Sequence, residues 1–260
     1  MKKNNVLSYA EKANALSVRI NAHVAFSNFS LEHWLLKNIS LLKGSKLLDI
    51  GCGDGNLFPV LSEMIGNTGI IVGIDQSRDL LDKASQKRVN CHKLLMKWDM
   101  DDGLPFMDES FDYVTSFFAI YYAKDVGGVL REIKRVLKSP GQLILVGPTG
   151  NNAKELYDFN RMVFGFAMGD KANTRTNRLE NEFYPESLSV FETAEINKIP
   201  SKLVFPDKKE FIKYYMATLL FEESSIKAGS QPDAGKLLAM DAPGLEISKE
   251  MVMLKMGKDA

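Results

Sequence analysis

The stretch Leu47-Leu48-Asp49-Ile50-Gly51-Cys52-Gly53-Asp54-Gly55 decides the fold class of this 260-residue chain. A short apolar run ends there in closely spaced glycines, and a helical pattern follows. A buried parallel strand that enters a tight turn and continues into a helix has this signature. Glycines in such a turn let a ligand approach the main chain closely. We therefore expect a binding site at this turn, at the carboxyl edge of a sheet.

Further apolar runs and helical patterns alternate after the turn. The apolar runs occupy residues 70–74, 113–118 and 142–146, and the helical patterns occupy 56–65, 77–88 and 125–138. This alternation predicts an α/β fold with a Rossmann-like, doubly wound sheet.

The alternation stops after Gly150, and the chain divides into four predicted segments. Later patterns predict a strand near 195–204, a helix near 207–222 and a last strand near 246–256. The segments are an N-terminal helical lid (1–43), a core that binds the ligand (44–150), an inserted cap (151–192), and the closing strands and helix of the core (193–260).

Composition excludes several classes of protein. Lys plus Arg equals Asp plus Glu, 33 each, so no net field attracts nucleic acid. Lys171, Arg175 and Arg178 form a modest basic patch, which we interpret as a solvated helix face. Cys52 and Cys91 lie outside any paired motif, so we expect no metal site and a cytoplasmic protein with reduced thiols. No signal peptide or membrane span is predicted.

The acidic residues around the turn indicate the charge of the ligand. Asp49 and Asp54 bracket the glycines, and Asn56 stands where a dinucleotide-binding motif would have its third glycine. Carboxylates here would repel a pyrophosphate and would suit a ligand whose nearest group is cationic. We expect Asp49, Gly51, Cys52 and Gly53 to contact it.

Two further strand ends carry candidate ligand contacts. Asp75 ends the second strand, where a carboxylate can accept hydrogen bonds from a ribose diol, and Gln76 follows it. The alternative is that Asp75 or Ser77 caps the next helix. A third strand at about 92–97 should place Asp99 and the Met100 amide beside an adenine ring.

These motifs together resemble the class I S-adenosylmethionine-dependent methyltransferases, in particular the small-molecule group that includes quinone-ring and sterol enzymes. The resemblance covers about residues 44–148 and includes the glycine-rich turn, Asp75, the stretch from Asp99 to Asp112, and the helix end from Leu130 to Gly141. It implies seven strands with an antiparallel last strand, and S-adenosyl-L-methionine as the cofactor. Its methionyl ammonium and sulfonium are the cationic groups that the acidic turn suits.

Aromatic residues crowd the end of the fourth strand. We expect Phe117 to contact the cofactor, and Phe118, Tyr121 and Tyr122 to line a substrate pocket, although core packing is the alternative. His23 is the candidate catalytic residue, in contact with substrate or cofactor, because the N-terminal segments of related enzymes fold over the cofactor; ordinary packing is the alternative.

The expected activity is methyl transfer to an O, N or C atom of a small molecule or a natural-product or peptide intermediate. The sulfonium is already activated, so positioning and water exclusion can supply much of the catalysis. The alternatives are a non-catalytic S-adenosylmethionine-binding partner protein and a nucleic-acid methyltransferase. An Asn/Asp-Pro-Pro-aromatic motif after the fourth strand would favour the latter, but residues 117–120 read Phe-Phe-Ala-Ile.

Overall fold

The computed structural model describes residues 13–167, 176–241 and 244–259. Its strands are β1 (Lys46–Ile50), β2 (Ile70–Asp75), β3 (His92–Lys97), β4 (Phe111–Phe117), β5 (Leu137–Pro148), β6 (Thr193–Ile199), β7 (Lys202–Val204), β8 (Glu246–Ser248) and β9 (Met251–Lys258). Its helices are α1 (Ala13–Phe26), α2 (Leu31–Asn38), α3 (Phe58–Ile65), α4 (Arg78–Ser85), α5 (Val126–Val136), α6 (Lys154–Phe164), α7 (Tyr184–Val190), α8 (Lys208–Met216), α9 (Leu219–Ala228) and α10 (Ala234–Ala239).

Seven strands form one sheet in the order β3-β2-β1-β4-β5-β9-β6. The first five are mutually parallel, and β9 pairs antiparallel with both β5 and β6. The predicted Rossmann-like sheet with an antiparallel last strand is thus confirmed. The strand order reverses between β1 and β4, where open α/β sheets bind their ligands.

The last strand starts later than the sequence pattern predicts. Residues Glu246–Ser248 pair with β7 in a separate two-stranded sheet, through Leu203 and Ile247, and the main sheet resumes only at Met251. The predicted strand at 195–204 is likewise divided between the two sheets, because β6 ends at Ile199 and β7 begins at Lys202.

Helices cover both faces of the sheet. On one face α5 and α7 pack on a buried cluster that contains Val114, Leu130 and Leu145. On the other face α2 and α3 pack on a second cluster, which contains Leu35 and Phe58. The inner parallel strands β1, β2, β4 and β5 are therefore mostly buried, as their sequences predict, whereas the edge strand β3 is largely exposed.

A third buried cluster forms a separate cap. Its buried side chains come from α1, α6, β7, β8, α8, α9 and α10: Ala22, Ala153, Leu156, Phe159, Leu203, Phe205, Phe211, Ile212, Tyr214, Tyr215, Leu220, Phe221, Leu237 and Ile247. The predicted segment boundaries differ from this division. α1 belongs to the cap while α2 packs on the sheet, and residues 202–241 and 244–248 belong to the cap rather than to the closing part of the core.

The cap is attached at the carboxyl edge of the sheet. The chain leaves the sheet there after Pro148 and after Ile199, and it re-enters at Met251. α1 joins the cap through an isolated bridge between Ser27 and Leu203. The topology therefore places this aromatic module at the sheet edge where the glycine-rich turn lies.

Candidate functional site

The glycine-rich turn is held by hydrogen bonds within the protein. The Gly51 and Cys52 amides both donate to the Ile74 carbonyl, at 2.8 and 3.0 Å, and the Gly53 amide donates to Asp75 Oδ2 at 2.9 Å. These three donors already have partners. A ligand at the turn would therefore meet its open face and the acidic side chains, rather than these amides as the sequence suggested.

Gly51 and Gly53 are glycines for different reasons, although both have positive φ, +69° and +56°. A Cβ added at Gly51 would lie 2.2 Å from the Ala119 Cβ, so this glycine allows two parts of the protein to approach closely. A Cβ added at Gly53 would meet nothing within 4 Å. Gly53 therefore borders open space of the kind that a ligand can fill.

Asp75 combines a structural role with free acceptor capacity. Its Oδ2 accepts from the Gly53 amide, and its Oδ1 accepts from the Ser77 amide at 2.8 Å. Each carboxylate oxygen has two lone pairs, so each retains a site for a ligand hydroxyl. Ser77, not Asp75, caps α4, because its side chain accepts from the Leu80 amide. Burial raises the pKa of Asp75.

Asp49 is a buried carboxyl beneath the turn. Its side chain is almost fully enclosed, and Thr115 on β4 donates to its Oδ1 at 2.7 Å. Burial raises the pKa of Asp49 to about 7; the Thr115 hydrogen bond lowers the pKa, and the Asp75 charge raises it. A bound cation beside the turn would favour the ionised form of this carboxyl.

This raised pKa predicts a fall in stability between about pH 4 and 7. In that window the unfolded chain loses the Asp49 proton while the folded protein keeps it, so the free energy of unfolding falls by up to about 1.4 kcal/mol per pH unit. The stabilisation is full below the ordinary Asp pKa and is lost as the pH rises through about 7. Urea denaturation of the wild type at pH 5 and 7.5 measures it.

The matched control for this prediction is Asp49→Asn, which cannot ionise but can still accept from Thr115. We expect the variant to lose this component of the pH dependence while the remaining carboxyl groups titrate as before. Identical slopes for the wild type and the variant would assign the pH dependence to other groups.

The third strand ends where predicted, at Lys97. Asp99 then caps a short helical turn at Met100–Asp102, and its Oδ1 accepts from the Asp101 amide at 3.0 Å. The Met100 side chain reaches the turn, since its Cε lies 3.8 Å from the position of a Cβ on Gly51. Gln76 is exposed at the end of β2. Asp99, Met100 and Gln76 thus stand at neighbouring strand ends, and their contacts with a cofactor stay predictions.

The aromatic residues after β4 differ in exposure. Phe117 is half-buried and packs on the sheet, whereas Phe118 is 40% exposed and has a positive φ of 56°. Tyr121 is buried against Gly147, and its ring centroid lies 4.7 Å from that of Tyr122. A left-handed non-glycine residue is strained, and such strain collects at functional sites. Phe118 is therefore the strongest candidate of the four for a pocket wall.

The sequence interpretation missed the contacts that hold this segment. Ala119 packs against Gly51, and Lys124 bonds Asp101 twice, with its amide to Oδ1 at 2.8 Å and its Nζ to Oδ2 at 3.2 Å. These contacts join the ends of β1, β3 and β4. These residues are far apart in the chain and meet because of the order of the strands in the sheet. No local sequence pattern predicts such contacts.

Cys52 and His23 do not present reactive groups to the turn. The Cys52 sulfur points inward toward Gly73, and burial raises the pKa of its thiol; its amide already donates to Ile74, so its contact with a cofactor stays a prediction. The His23 ring packs edge-on against Tyr214 in the cap, 6.1 Å between centroids. Burial, together with Lys249 and Arg19, lowers the pKa of His23 to about 3. Its ring is therefore neutral at neutral pH, and its catalytic role stays a prediction.

No group of three or more His, Cys, Asp or Glu side chains in the described ranges could hold a metal ion. Within the same ranges, no helix has both the length and the apolar character that crossing a bilayer requires.

Comparison with known proteins identifies the part of the chain that carries this site. Residues 48–145 match a family model described as a methyltransferase domain. This part of the chain is a methyltransferase domain. It contains the glycine-rich turn, Asp75, Asp99 and residues 118–124, which follow β4.

Curated relatives match somewhat more than half of the chain. The demethylmenaquinone methyltransferase of Staphylococcus saprophyticus is 32% identical over 137 residues, which are 52% of this chain and 58% of that protein. A Staphylococcus aureus protein of the same name is 32% identical over 156 residues, 58% of this chain and 63% of that protein. The chain thus spans about three fifths of the length of these relatives.

Solved structures share the fold over a larger part of the chain. The geranyl diphosphate C-methyltransferase of Streptomyces coelicolor A3(2) has a TM-score of 0.54 at 16% identity and covers 98% of this chain and 89% of its own. A (4+2)-cyclase has a TM-score of 0.53 at 19% identity, with 88% and 80% covered. At such identities the likeness concerns the fold alone.

Proposed function

We propose that the protein is an enzyme that transfers the methyl group of S-adenosyl-L-methionine to an O, N or C atom of a small organic molecule. The observation that carries this proposal is the open, acidic face of the turn in the methyltransferase domain. Gly53 borders empty space, Asp75 keeps free acceptor sites, and Asp49 lies buried beneath.

The residues at this site fit S-adenosylmethionine better than a nucleotide diphosphate. When bound, the cofactor supplies a sulfonium that activates its methyl group for displacement. Asp75 would accept from the ribose hydroxyls, Asp99 and the Met100 amide would bind the adenine, and Asp49 would stabilise the positive methionyl part. The exposed Phe118 ring would lie at the boundary between the cofactor and the acceptor, where an aromatic face attracts a cation.

We propose further that the cap covers the reacting groups. It arises from the carboxyl edge of the sheet, and its aromatic side chains provide the water-excluding surface that methyl transfer needs. α1 is the N-terminal part of this lid.

The lid proposal predicts a response of α1 to ligand. Adding S-adenosylhomocysteine should slow amide hydrogen exchange in α1 as well as in residues 49–100, since a closed lid opens less often. Exchange on α5, which packs on one face of the sheet and outside the cap, serves as the internal comparison. Protection confined to 49–100 would leave α1 as a packing helix only.

An assay of turnover tests the proposed activity. The protein is incubated with S-adenosylmethionine labelled in the methyl group and with candidate acceptors, beginning with demethylmenaquinone because curated relatives carry that name. Label transfer with matching formation of S-adenosylhomocysteine is the expected result. Cofactor binding without turnover on a broad acceptor panel would instead favour a non-catalytic binding partner. Label found in nucleic acid or peptide would show that the acceptor is that macromolecule and not a small molecule.

A further inference from the structure

Arg178 makes hydrogen bonds in two directions next to the candidate site. Its Nη1 donates to the carbonyls of Tyr121 and Ala123, at 2.7 and 2.6 Å. Its Nε and Nη2 donate to the Glu182 carboxylate at 2.7–3.0 Å. The sequence placed Arg178 on a solvated basic face, but its side chain is only 14% exposed. The other two residues of that patch, Lys171 and Arg175, lie outside the described residues.

The two carbonyls belong to a segment that we call the β4 strip, residues 118–124. The strip touches the glycine-rich turn through Ala119, the end of β3 through Lys124, and β5 through Tyr121. It therefore lies against the parts of the methyltransferase domain that would hold the cofactor, and it carries the candidate pocket residues Phe118, Tyr121 and Tyr122. A small displacement of the strip would move the exposed Phe118 ring and the contact with Gly51 together.

The chemistry of the strip explains why a guanidinium holds it. Residues Ile120–Tyr122 form one helical turn, and the last carbonyls of a helical turn have no partner within it. Ala123 and Tyr121 are buried, so their carbonyls need partners from elsewhere in the protein. The fork of an arginine can bond two carbonyls and a carboxylate at once, whereas a lysine ammonium acts as a single point of charge.

We infer that Arg178 is a positioning residue for methyl transfer, which holds the β4 strip against the glycine-rich turn and so sets the wall between cofactor and acceptor. The inference rests on the proposed function. Glu182 holds the guanidinium in this orientation, since its carboxylate accepts hydrogen bonds from both Nε and Nη2 of Arg178.

The test replaces Arg178 by glutamine and measures the affinity for S-adenosylhomocysteine by calorimetry, with hydrogen exchange on residues 118–124. We expect R178Q to bind about 5- to 20-fold more weakly, and exchange in the strip to be about tenfold faster while β1 is unchanged. The control is R161Q, since Arg161 is an exposed arginine on α6 that pairs with Asp158 at 3.1 Å, one turn back on the same helix. R161Q should match the wild type in both measurements.

The outcomes separate the inference from the proposed function. A wild type that does not bind S-adenosylhomocysteine contradicts the proposed function. A wild type that binds, together with a folded R178Q of unchanged affinity and strip exchange, overturns the inference alone. A purely structural role would lower the unfolding midpoint without changing the affinity of the folded fraction. If R178Q does not fold, R178K takes its place with an expected loss of about two- to fivefold, and a wild-type affinity in R178K is the contrary result.

Discussion

Replacement of Asp75 by alanine is expected to weaken S-adenosylhomocysteine binding by roughly 1.5–3 kcal/mol, or about 10- to 150-fold. The change removes both acceptors that would receive the ribose hydroxyls. It also releases the Gly53 amide, whose bond to Oδ2 is 2.9 Å, and the Ser77 amide, whose bond to Oδ1 is 2.8 Å. Calorimetric titration of the folded variant measures the loss.

Two further variants separate a lost ligand contact from a disturbed turn. Asp75→Asn keeps one acceptor oxygen and should retain part of the affinity. Its amide nitrogen would face the Gly53 or the Ser77 amide, one donor against another, so we also expect some loss of stability, and the affinity is measured on the folded fraction. Asp79→Ala, on the exposed face of α4, controls for the loss of one negative charge. A folded D75A protein that binds like the wild type would remove Asp75 from the ribose site.

The sequence predicts those parts of the site that are formed by residues close together in the chain. The strand, the glycine turn and the following helix lie within about twenty residues; Asp75 ends the second strand, and Asp99 follows the third strand by two residues. Turn chemistry and hydrophobic periodicity are local signals, so these elements follow from the residues alone. The antiparallel last strand was available only through the resemblance to a family.

The contacts between strand ends have no such local signal. Ala119 meets Gly51 and Arg178 meets Tyr121 because of strand order and the path of the chain beyond β5. The same holds for the cap, since an amphipathic helix pattern does not say which surface the apolar face will cover. The sequence therefore assigns β7, β8 and the helices between them to the core, although they pack with α1 and α6 in the cap.

One missed boundary did have a signal in the sequence. The helix predicted at 207–222 is two helices, α8 and α9, and Thr218 begins the second by accepting from the Phe221 amide. Threonine is a favoured N-cap residue, so a break before Leu219 agrees with the chemistry of the chain. Because both helices bury apolar residues in the same cluster, the apolar pattern continues across the break, and periodicity alone predicts one helix.

The two glycines of the turn should respond very differently to alanine. In Gly51→Ala, the left-handed backbone costs about 1–2 kcal/mol and the contact with Ala119 adds about 1–3 kcal/mol, so the free energy of unfolding should fall by about 2–5 kcal/mol. Gly53→Ala has only the first cost, since its added Cβ meets nothing within 4 Å. Urea denaturation of both variants measures the difference.

Ligand affinity should show the opposite order, because the space beside Gly53 is where the methionyl part would lie. Gly53→Ala should fold with only a small loss of stability, yet it should bind S-adenosylhomocysteine more weakly than the wild type does. Gly53→Val should block binding.

The double variant G51A/A119G tests the steric cause at Gly51, since the next atom, the Ala119 Cα, is 3.6 Å from the added Cβ. A119G should therefore restore stability to G51A although it costs about 0.5–1 kcal/mol alone. Additive losses in the double variant would place the strain in the backbone angle of Gly51, and normal binding by Gly53→Val would place the ligand elsewhere.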